Sequence, residues 1–311
     1  MLTHPQMLSQ NFAPGRNNLT LDFHGRHRTA VIAIPHTAEP KDGYPLVLML
    51  HGAGSSTRSI IEATGWEALG EKECFVSVFP NGTPKHEDEP ENFLKNPQTW
   101  HSGLESTLAA GELSAYAKNI DDVGFLTELI ATVQNCIPID SNRIYVCGHS
   151  NGAGMAYRFV FERSSIIAAI GVMAGHFGQV TPGTIMSEPV PLIQILGDKD
   201  PFTPIEGGTA GIGRRKATVK PALDAPERWA QACGISAEPS EREETDTLIE
   251  YFWGKDDNKR QSIISIIVKG HGHDYLYPRE HKLPKFLMGP YVNTLNATEV
   301  FWDFFKKHPK A

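Results

Sequence analysis

The feature that most constrains the fold of this chain is a serine between two glycines, at the junction of two differently patterned segments. An apolar run at residues 144–147 leads into the pentapeptide Gly-His-Ser-Asn-Gly at 148–152, and residues 155–160 then have the apolar spacing of a helix. The glycines predict a sharp turn, because side chains there would collide with the neighbouring strand and helix. Such a turn exposes a hydroxyl at a helix N-terminus, whose backbone N–H groups can bind an oxyanion. Ser150 is therefore predicted to be a nucleophile.

The rest of the chain alternates between strand and helix patterns. Apolar runs typical of strands buried on both faces occur at residues 46–50, 74–79, 166–173 and 191–196. Helical spacing occurs at residues 59–70, 121–136 and 294–308. This alternation predicts an α/β fold with a mostly parallel central sheet and helices on both faces. A G-x-S-x-G at a strand-to-helix junction is the nucleophile elbow of the α/β-hydrolases, so we predict an α/β-hydrolase fold.

Length and local composition suggest how the chain is divided. With 311 residues it can bury one substantial core. Residues 1–18 are polar and aperiodic, and we expect them to form a loosely ordered N-terminal arm ahead of a single catalytic domain at residues 19–311. Residues 83–98 are acidic and lack a sustained period, which predicts an excursion over the surface. The sequence leaves open whether this excursion is a lid.

Charge and cysteine content argue against several classes of protein. A net charge of −7 without a basic stripe argues against nucleic-acid binding. No apolar run is long enough to span a bilayer, and the first thirty residues lack the organisation of a signal peptide. The four cysteines are too few and too scattered for a disulfide scaffold or a zinc site. We expect a cytoplasmic protein without cofactor or membrane association, although a secreted form trimmed of its leader would look the same; the oligomeric state is left open.

Polar residues follow two further strands at the end of the sheet where functional loops emerge. Asp200 follows the strand ending at residue 196, and His273 follows the strand ending at residue 268. The chain order Ser, Asp, His is the one expected of an α/β-hydrolase. We therefore predict that His273 acts on Ser150 as general base and then general acid, with Asp200 fixing its tautomer.

Two neighbouring residues remain alternatives for these roles. Asp198 is a second acid in the same loop, but Asp200 is favoured because Pro201 shapes the turn behind it. His271 is a second imidazole, but His273 is favoured because the loop must reach back to the nucleophile. The two histidines also suggest a metal site. No partnering carboxylate or cysteine motif lies nearby, so no metal is predicted.

The remaining site predictions concern the oxyanion hole and the substrate. The loop His-Gly-Ala-Gly at residues 51–54 is of the type that supplies a backbone donor, so the N–H groups of Ala53 and Asn151 are predicted to form the oxyanion hole. Trp100, His149 and Tyr275 are the candidates for lining the substrate pocket, where an aromatic face can stack on a phenolic acid or a polymer unit. Each of these three side chains could instead fill the core under a loop.

Several motifs occur in an order that resembles the esterase family of polyhydroxybutyrate depolymerases and feruloyl and acetylxylan esterases. Together they cover most of residues 28–306. The motifs are Leu50-His-Gly-Ala-Gly54, Pro80-Asn-Gly82, Trp100-His-Ser-Gly103, Asp121-Asp-Val-Gly-Phe125, residues 139–152, Asp200-Pro201 with Gly207-Gly208, His273 with Pro278, and residues 296–305. The resemblance implies a serine esterase acting on carboxylic esters, with Ser150, Asp200 and His273 at the matching positions.

The sequence departs from that family at two places near the predicted site. Ala153 stands where family members have a second glycine after the elbow, and the segment after His273 is stretched before its proline. We predict a serine esterase that cleaves small or polymeric esters, of feruloyl, acetyl or hydroxyalkanoate type, through an acyl-enzyme. An acyltransferase, a thioesterase or peptidase on the same fold, and a non-catalytic binding protein remain alternatives.

Overall fold

A ten-stranded sheet lies at the centre of the structure, a computed structural model that describes residues 12–93, 95–104, 114–178, 184–212, 215–255, 261–279 and 285–310. The strands of this sheet and of two small ribbons are numbered along the chain: β1 (Gly15–Phe23), β2 (Arg26–Ile34), β3 (Tyr44–Leu50), β4 (Val76–Pro80), β5 (Thr83–Pro84), β6 (Gln98–Thr99), β7 (Ile139–His149), β8 (Ala169–Met173), β9 (Leu192–Gly197), β10 (Gly208–Ile212), β11 (Arg215–Val219), β12 (Glu241–Glu244), β13 (Leu248–Lys255) and β14 (Gln261–Val268).

The order of strands in the large sheet is β1-β2-β4-β3-β7-β8-β9-β14-β13-β12. The six central strands, from β4 to β14 in that order, are mutually parallel. The two strands at either edge pair antiparallel. The predicted α/β architecture with a mostly parallel sheet is confirmed. Because β3, β7, β9 and β14 are parallel, their carboxyl ends lie at one edge of the sheet, where the loops that follow them can meet.

Helices cover both faces of the sheet, as predicted. They are α1 (Thr57–Thr64), α2 (Trp66–Glu73), α3 (Asp122–Cys136), α4 (Asn151–Glu162), α5 (Asp224–Ala232), α6 (Lys285–Met288) and α7 (Ala297–Phe305), with a short 3₁₀ turn at Ser164–Ile166. Side chains on β3 alternate between two apolar cores because successive residues of a strand point to opposite faces. Leu48 packs in the core that contains α3, α4 and α5, and Val47 packs in the core that contains α1, α2 and α7.

The N-terminal arm is shorter than we predicted. Strand β1 begins at Gly15, which pairs with Ile34 of β2, so residues 15–18 belong to the sheet. Their polar sequence hid the strand, because β1 is an edge strand whose residues alternate between exposed and half-buried, with only Leu19 fully buried. Residues 1–11 of the predicted arm lie outside the described residues.

The acidic excursion runs over the surface, as predicted, and is closed by a two-stranded ribbon. Strand β5 pairs antiparallel with β6, which joins the two ends of the segment. Inside it the buried side chain of Asn96 accepts from the His86 N–H at 2.7 Å and donates to the carbonyl oxygens of His86, Glu89 and Pro90. The segment is therefore organised around one amide side chain, and a role as a lid stays open.

A search of the described helices finds none that is both long enough and apolar enough to cross a membrane. The cytoplasmic location stays a prediction.

Candidate active site

The chain turns sharply at Ser150, between β7 and α4. The serine has φ 55° and ψ −122°, a left-handed conformation that side chains rarely adopt. The flanking glycines are required by close approach of the backbone. A Cβ at Gly148 would lie 2.3 Å from the carbonyl oxygen of Gly152, and a Cβ at Gly152 would lie 2.3 Å from that of Leu50. Any side chain at either position would therefore collide with the backbone, as predicted from the sequence.

Ser150, His273 and Asp200 form a continuous chain of hydrogen bonds. The Ser150 Oγ lies 2.8 Å from His273 Nε2, and His273 Nδ1 lies 2.7 Å from Asp200 Oδ2. Both His273 and Asp200 are buried, with 1% and 5% of their surface exposed. With the Nδ1–H donated to the carboxylate, Nε2 is the nitrogen that accepts from the hydroxyl. The structure thus brings together the three residues predicted as nucleophile, base and acid.

Asp200 is held as a carboxylate by several donors. The N–H groups of Phe202 and Thr203 donate to its Oδ1 at 2.7 and 3.0 Å, and the Thr203 hydroxyl donates to its Oδ2. Burial raises the pKa of Asp200, but the charge of His273 and the hydrogen bonds from His273, Thr203 and Phe202 outweigh it and lower the pKa below its ordinary value. The turn through Pro201 therefore presents two backbone donors to the acid, in keeping with the turn chemistry that favoured it.

The two alternatives have other partners. Asp198 Oδ1 accepts from the N–H of Gly270 at 2.5 Å, which ties the loop after β9 to the loop after β14. His271 is buried, and its Nε2 donates to the carbonyl oxygen of Asp274 at 2.8 Å. Both side chains hold the loops that carry Asp200 and His273. Within the described ranges no group of three or more His, Cys, Asp or Glu is arranged to hold a metal ion; the absence of a metal stays a prediction.

The two predicted oxyanion donors lie beside the nucleophile. Gly52 packs on the elbow, since a Cβ there would lie 3.2 Å from the Ser150 Cβ, and this places Ala53 next to the site. Asn151 is the first residue of α4. In the described part of the chain the backbone N–H groups of Ala53 and Asn151 donate to no acceptor. Two N–H groups are therefore available next to the serine hydroxyl.

Trp100 packs against the loop at residues 51–54, which is predicted to supply an oxyanion donor, and it does not line the cavity as predicted. Its side chain is 1% exposed, and its indole N–H donates to the carbonyl oxygen of His51 at 2.9 Å. Its backbone N–H donates to the Asn151 side-chain oxygen at 2.7 Å, and its carbonyl accepts from the same amide at 3.1 Å. One residue thus connects the loop of Ala53 to the first turn of α4.

His149 and Tyr275 also lie outside the pocket lining, contrary to the prediction. His149 is buried and its Nε2 donates to the carbonyl oxygen of His273 at 2.7 Å. Burial, followed by the neighbouring charge of His273, lowers the pKa of His149 to about 4, so its imidazole is neutral. Tyr275 is 1% exposed and its hydroxyl bonds to that of Thr298 at 3.1 Å. Proximity in sequence to Ser150 and His273 does not distinguish residues that line the pocket from residues that pack behind the lining.

A cavity of about 320 Å³ adjoins Ser150 and His273. Part of its wall comes from the elbow and from the segment after Trp100. The rest comes from segments that sequence reasoning had not assigned to the site: the loop after β8 at 174–178, the turn at Phe202 and Thr203, the end of β11 with residues 220–221, and helix α5 with Arg228. The Phe202 ring lies 4.7 Å from the His273 ring. Its proximity to Asp200 in sequence was a usable signal. No sequence signal pointed to Arg228, because it lies in a helix that is remote in sequence from every motif.

Comparison with known proteins places the chain in a family. The sequence model described as "Esterase PHB depolymerase" matches residues 30–190, which include the loop at 51–54 and Ser150. The chain belongs to this family. It is thus a member of a family of carboxylic ester hydrolases, as predicted. Asp200 and His273 lie beyond the matched residues, so they rest on the geometry above.

Relatives within and around the esterase PHB depolymerase family are distant in sequence. NocK of Nocardia uniformis subsp. tsuyamanensis, which carries an esterase name, is 25% identical over 259 residues, or 78% of this chain and 69% of NocK. Feruloyl esterase D of Neurospora crassa is 24% identical over 158 residues, 50% of this chain and 48% of that enzyme, so the chain matches about half its length. The acetyl xylan esterase from Aspergillus awamori superposes with a TM-score of 0.58 at 13% identity, covering 93% of this chain and 99% of that one. This likeness confirms the α/β-hydrolase fold.

Proposed function

We propose that this protein is a serine esterase that hydrolyses carboxylic esters through an acyl-enzyme. The observation that carries the proposal is the unbroken path of hydrogen bonds from Asp200 through His273 to the Ser150 hydroxyl. A serine is a weak nucleophile until an adjacent base accepts its proton, and an oriented imidazole provides that base. Family membership supports the same chemistry independently.

In the first half of the reaction, Ser150 Oγ attacks the ester carbonyl carbon while its proton passes to His273 Nε2. The carbonyl oxygen becomes an oxyanion that accepts hydrogen bonds from the N–H groups of Ala53 and Asn151, and each such donor contributes about 2.7–4 kcal/mol to the transition state. The imidazolium is stabilised by Asp200, which stays ionised. The C–O bond to the alcohol then breaks, and the alcohol leaves with the proton from His273.

In the second half, a water molecule attacks the acyl-enzyme carbonyl and gives its proton to His273 Nε2. The tetrahedral intermediate forms again and collapses when the bond to Ser150 Oγ breaks. His273 returns its proton to the serine, and the carboxylic acid is released. Enzyme and base are regenerated, so no cofactor is consumed.

The substrate is proposed to be a small or polymeric carboxylic ester of feruloyl, acetyl or hydroxyalkanoate type. The family description and the name of the feruloyl esterase relative support this range. The cavity beside Ser150 has the volume of a site for a small molecule and is walled partly by Phe177 and Phe202, which suit an apolar acyl or alcohol group.

The test is hydrolysis of p-nitrophenyl acetate, butyrate and octanoate, methyl ferulate and short 3-hydroxybutyrate oligomers by the wild type and by Ser150→Ala. The matched control is Ser59→Ala, a serine exposed on α1. We expect activity in the wild type and control and its loss in Ser150→Ala, together with labelling of Ser150 by a fluorophosphonate. An inactive, unlabelled wild type would refute the proposal and favour a binding protein, whereas an active Ser150→Ala would show that Ser150 is not the nucleophile.

A further inference from the structure

The cavity beside Ser150 contains an arginine without an acidic partner. Arg228 of α5 lines the same cavity as Ser150 and His273. Its two terminal nitrogens donate to the carbonyl oxygens of Gly178 and Phe177 at 3.0 and 2.5 Å, and the guanidinium carbon lies 4.8 Å from the centre of the Phe177 ring. The side chain is thus fixed in place by backbone carbonyls and an aromatic face.

The charge of Arg228 is not neutralised by the protein. Among the described residues no carboxylate is within ion-pair distance of its guanidinium, and its Nε is buried without a hydrogen-bond acceptor. Burial lowers the pKa of Arg228, while the charge of Asp224 acts against this shift, and the group remains a cation at neutral pH. Arg228 is half-buried, and its hydrogen bonds go to neutral carbonyl oxygens, so its partly desolvated charge has no ion-pair partner among the described residues. An anion supplied by a ligand would complete the pairing.

The walls of the cavity favour such a ligand. Its described lining contains no Asp or Glu, and Lys220, exposed at the end of β11, is a second cation at the same cavity. This contrasts with the chain as a whole, whose net charge is −7. The lining also includes the apolar side chains of Phe177, Phe202 and Val219. The cavity therefore offers a reactive group, apolar side chains and a cation.

We propose that the substrate carries a free carboxylate and that Arg228 is the residue that recognises it. This inference rests on the proposed esterase function. The substrate class is an ester whose acid or alcohol part ends in a carboxylate, such as a half-ester of a dicarboxylic acid or an oligomer of a hydroxy acid. Each terminal nitrogen of Arg228 has a second N–H beyond the one donated to the protein, and a carboxylate accepts two parallel N–H donors from a guanidinium.

The experiment compares p-nitrophenyl half-esters of succinate, glutarate and adipate with the same compounds capped as methyl esters. The quantity measured is the ratio of kcat/KM for the free acid to that for its methyl ester. We expect the wild type to favour the acid by about 10- to 100-fold at the chain length that spans the cavity, the size typical of a hydrogen bond between charged groups. Arg228→Gln should bring the ratio close to one, and Arg228→Lys should retain part of it.

The control is Arg163→Gln, an exposed arginine after α4, which should leave both the ratio and butyrate hydrolysis unchanged. A measurement on the wild type alone covers the case in which the Arg228 variants fail to fold: glutarate should inhibit butyrate hydrolysis at least tenfold more strongly than glutaramide. A ratio near one at every length, or a ratio that survives Arg228→Gln, would overturn the inference and leave Arg228 as support for the loop at 174–178. Absence of butyrate hydrolysis in the wild type would instead refute the esterase function.

Discussion

His149 Nε2 donates a hydrogen bond to the backbone carbonyl oxygen of His273, 2.7 Å away. His149, which directly precedes the proposed nucleophile Ser150, therefore anchors the loop that carries the proposed base His273. The bond requires a proton on Nε2, and the neutral imidazole carries it there when Nδ1 is free. Because burial lowers the pKa of His149 to about 4, the imidazole is neutral at neutral pH and donates as its Nε2–H tautomer.

We expect His149→Phe to lower kcat for p-nitrophenyl butyrate about tenfold and to reduce the free energy of unfolding by about 1–3 kcal/mol, because the buried His273 carbonyl loses its donor. His149→Gln, whose amide can donate in place of Nε2, should recover part of both losses. Steady-state kinetics and urea denaturation measure the two effects. If Phe and Gln behaved alike, packing against Tyr275 rather than the hydrogen bond would be the contribution of His149.

A second prediction separates the two acids that follow β9. Asp200→Asn should lower kcat by about 10⁴-fold, since the amide no longer stabilises the imidazolium or selects the Nδ1–H tautomer of His273. Asp198→Asn is the matched control, because Asp198 contacts Gly270 and not the imidazole. It should lose less than about tenfold, through the loosened loop. Equal losses in the two variants would argue against Asp200 as the residue that orients the base.

The sequence was informative about the reactive residues because topology positions them. Ser150, Asp200 and His273 follow β7, β9 and β14, which are parallel strands of one sheet, so the carboxyl edge of that sheet brings their loops close together. The two glycines that flank Ser150 were equally predictable, because the sharp turn there leaves no room for a side chain at either position.

The walls of the cavity depend on packing between distant segments, and the sequence did not reveal them. Trp100 and Tyr275 are adjacent to the right motifs, but the side on which each ring packs is decided by partners far along the chain, such as His51 and Thr298. Residues 208–212 form β10, which pairs antiparallel with β11 in a two-stranded ribbon. The end of that ribbon and Arg228 of α5 both line the cavity, and no repeating pattern in the sequence connects these two segments.

A third prediction concerns the stability of the protein in acid. Burial lowers the pKa of both His51 and His149 to about 4, so both are neutral in the folded protein. In the unfolded chain they titrate near 6.5, so between pH 6.5 and 4 the unfolded state binds more protons. The free energy of unfolding should therefore fall as the pH falls, by up to about 1.4 kcal/mol per pH unit for each histidine. The pKa of Asp200 is also lowered, and this carboxylate contributes a further loss of stability only around and below pH 3.8.

Urea denaturation at pH 7.0, 6.0 and 5.0 measures this dependence. His51→Gln should show a shallower loss of stability between pH 6 and 5 than the wild type, because one of the histidines whose pKa is lowered by burial is removed. His27→Gln, a histidine exposed on β2, is the control and should follow the wild type. A wild-type stability that is flat from pH 7 to 5 would contradict the lowered pKa values.

The last prediction concerns the position at which this chain departs from the glycine usual in the resembling family. Ala153 lies in the first turn of α4, and Gly175 faces it: a Cβ at position 175 would lie 2.3 Å from the Ala153 Cβ and 2.9 Å from the Ser150 carbonyl oxygen. Gly175 thus makes room for the methyl group of Ala153. Gly175→Ala should reduce the free energy of unfolding by about 1–3 kcal/mol through overpacking. Ala153→Gly alone should cost about 1 kcal/mol of helix propensity.

Because the clash needs both methyl groups, the double variant should lose less stability than the sum of the two single losses, with a coupling of about 1 kcal/mol. The rescue should be incomplete, since the contact with the Ser150 carbonyl remains, and kcat should stay below that of the wild type. Ala156→Gly, another buried alanine of α4, is the matched control and should combine additively with Gly175→Ala. Additivity in the Ala153 pair as well would mean that the first turn of α4 shifts to accept a larger side chain at 175, and that the elbow tolerates movement beside its nucleophile.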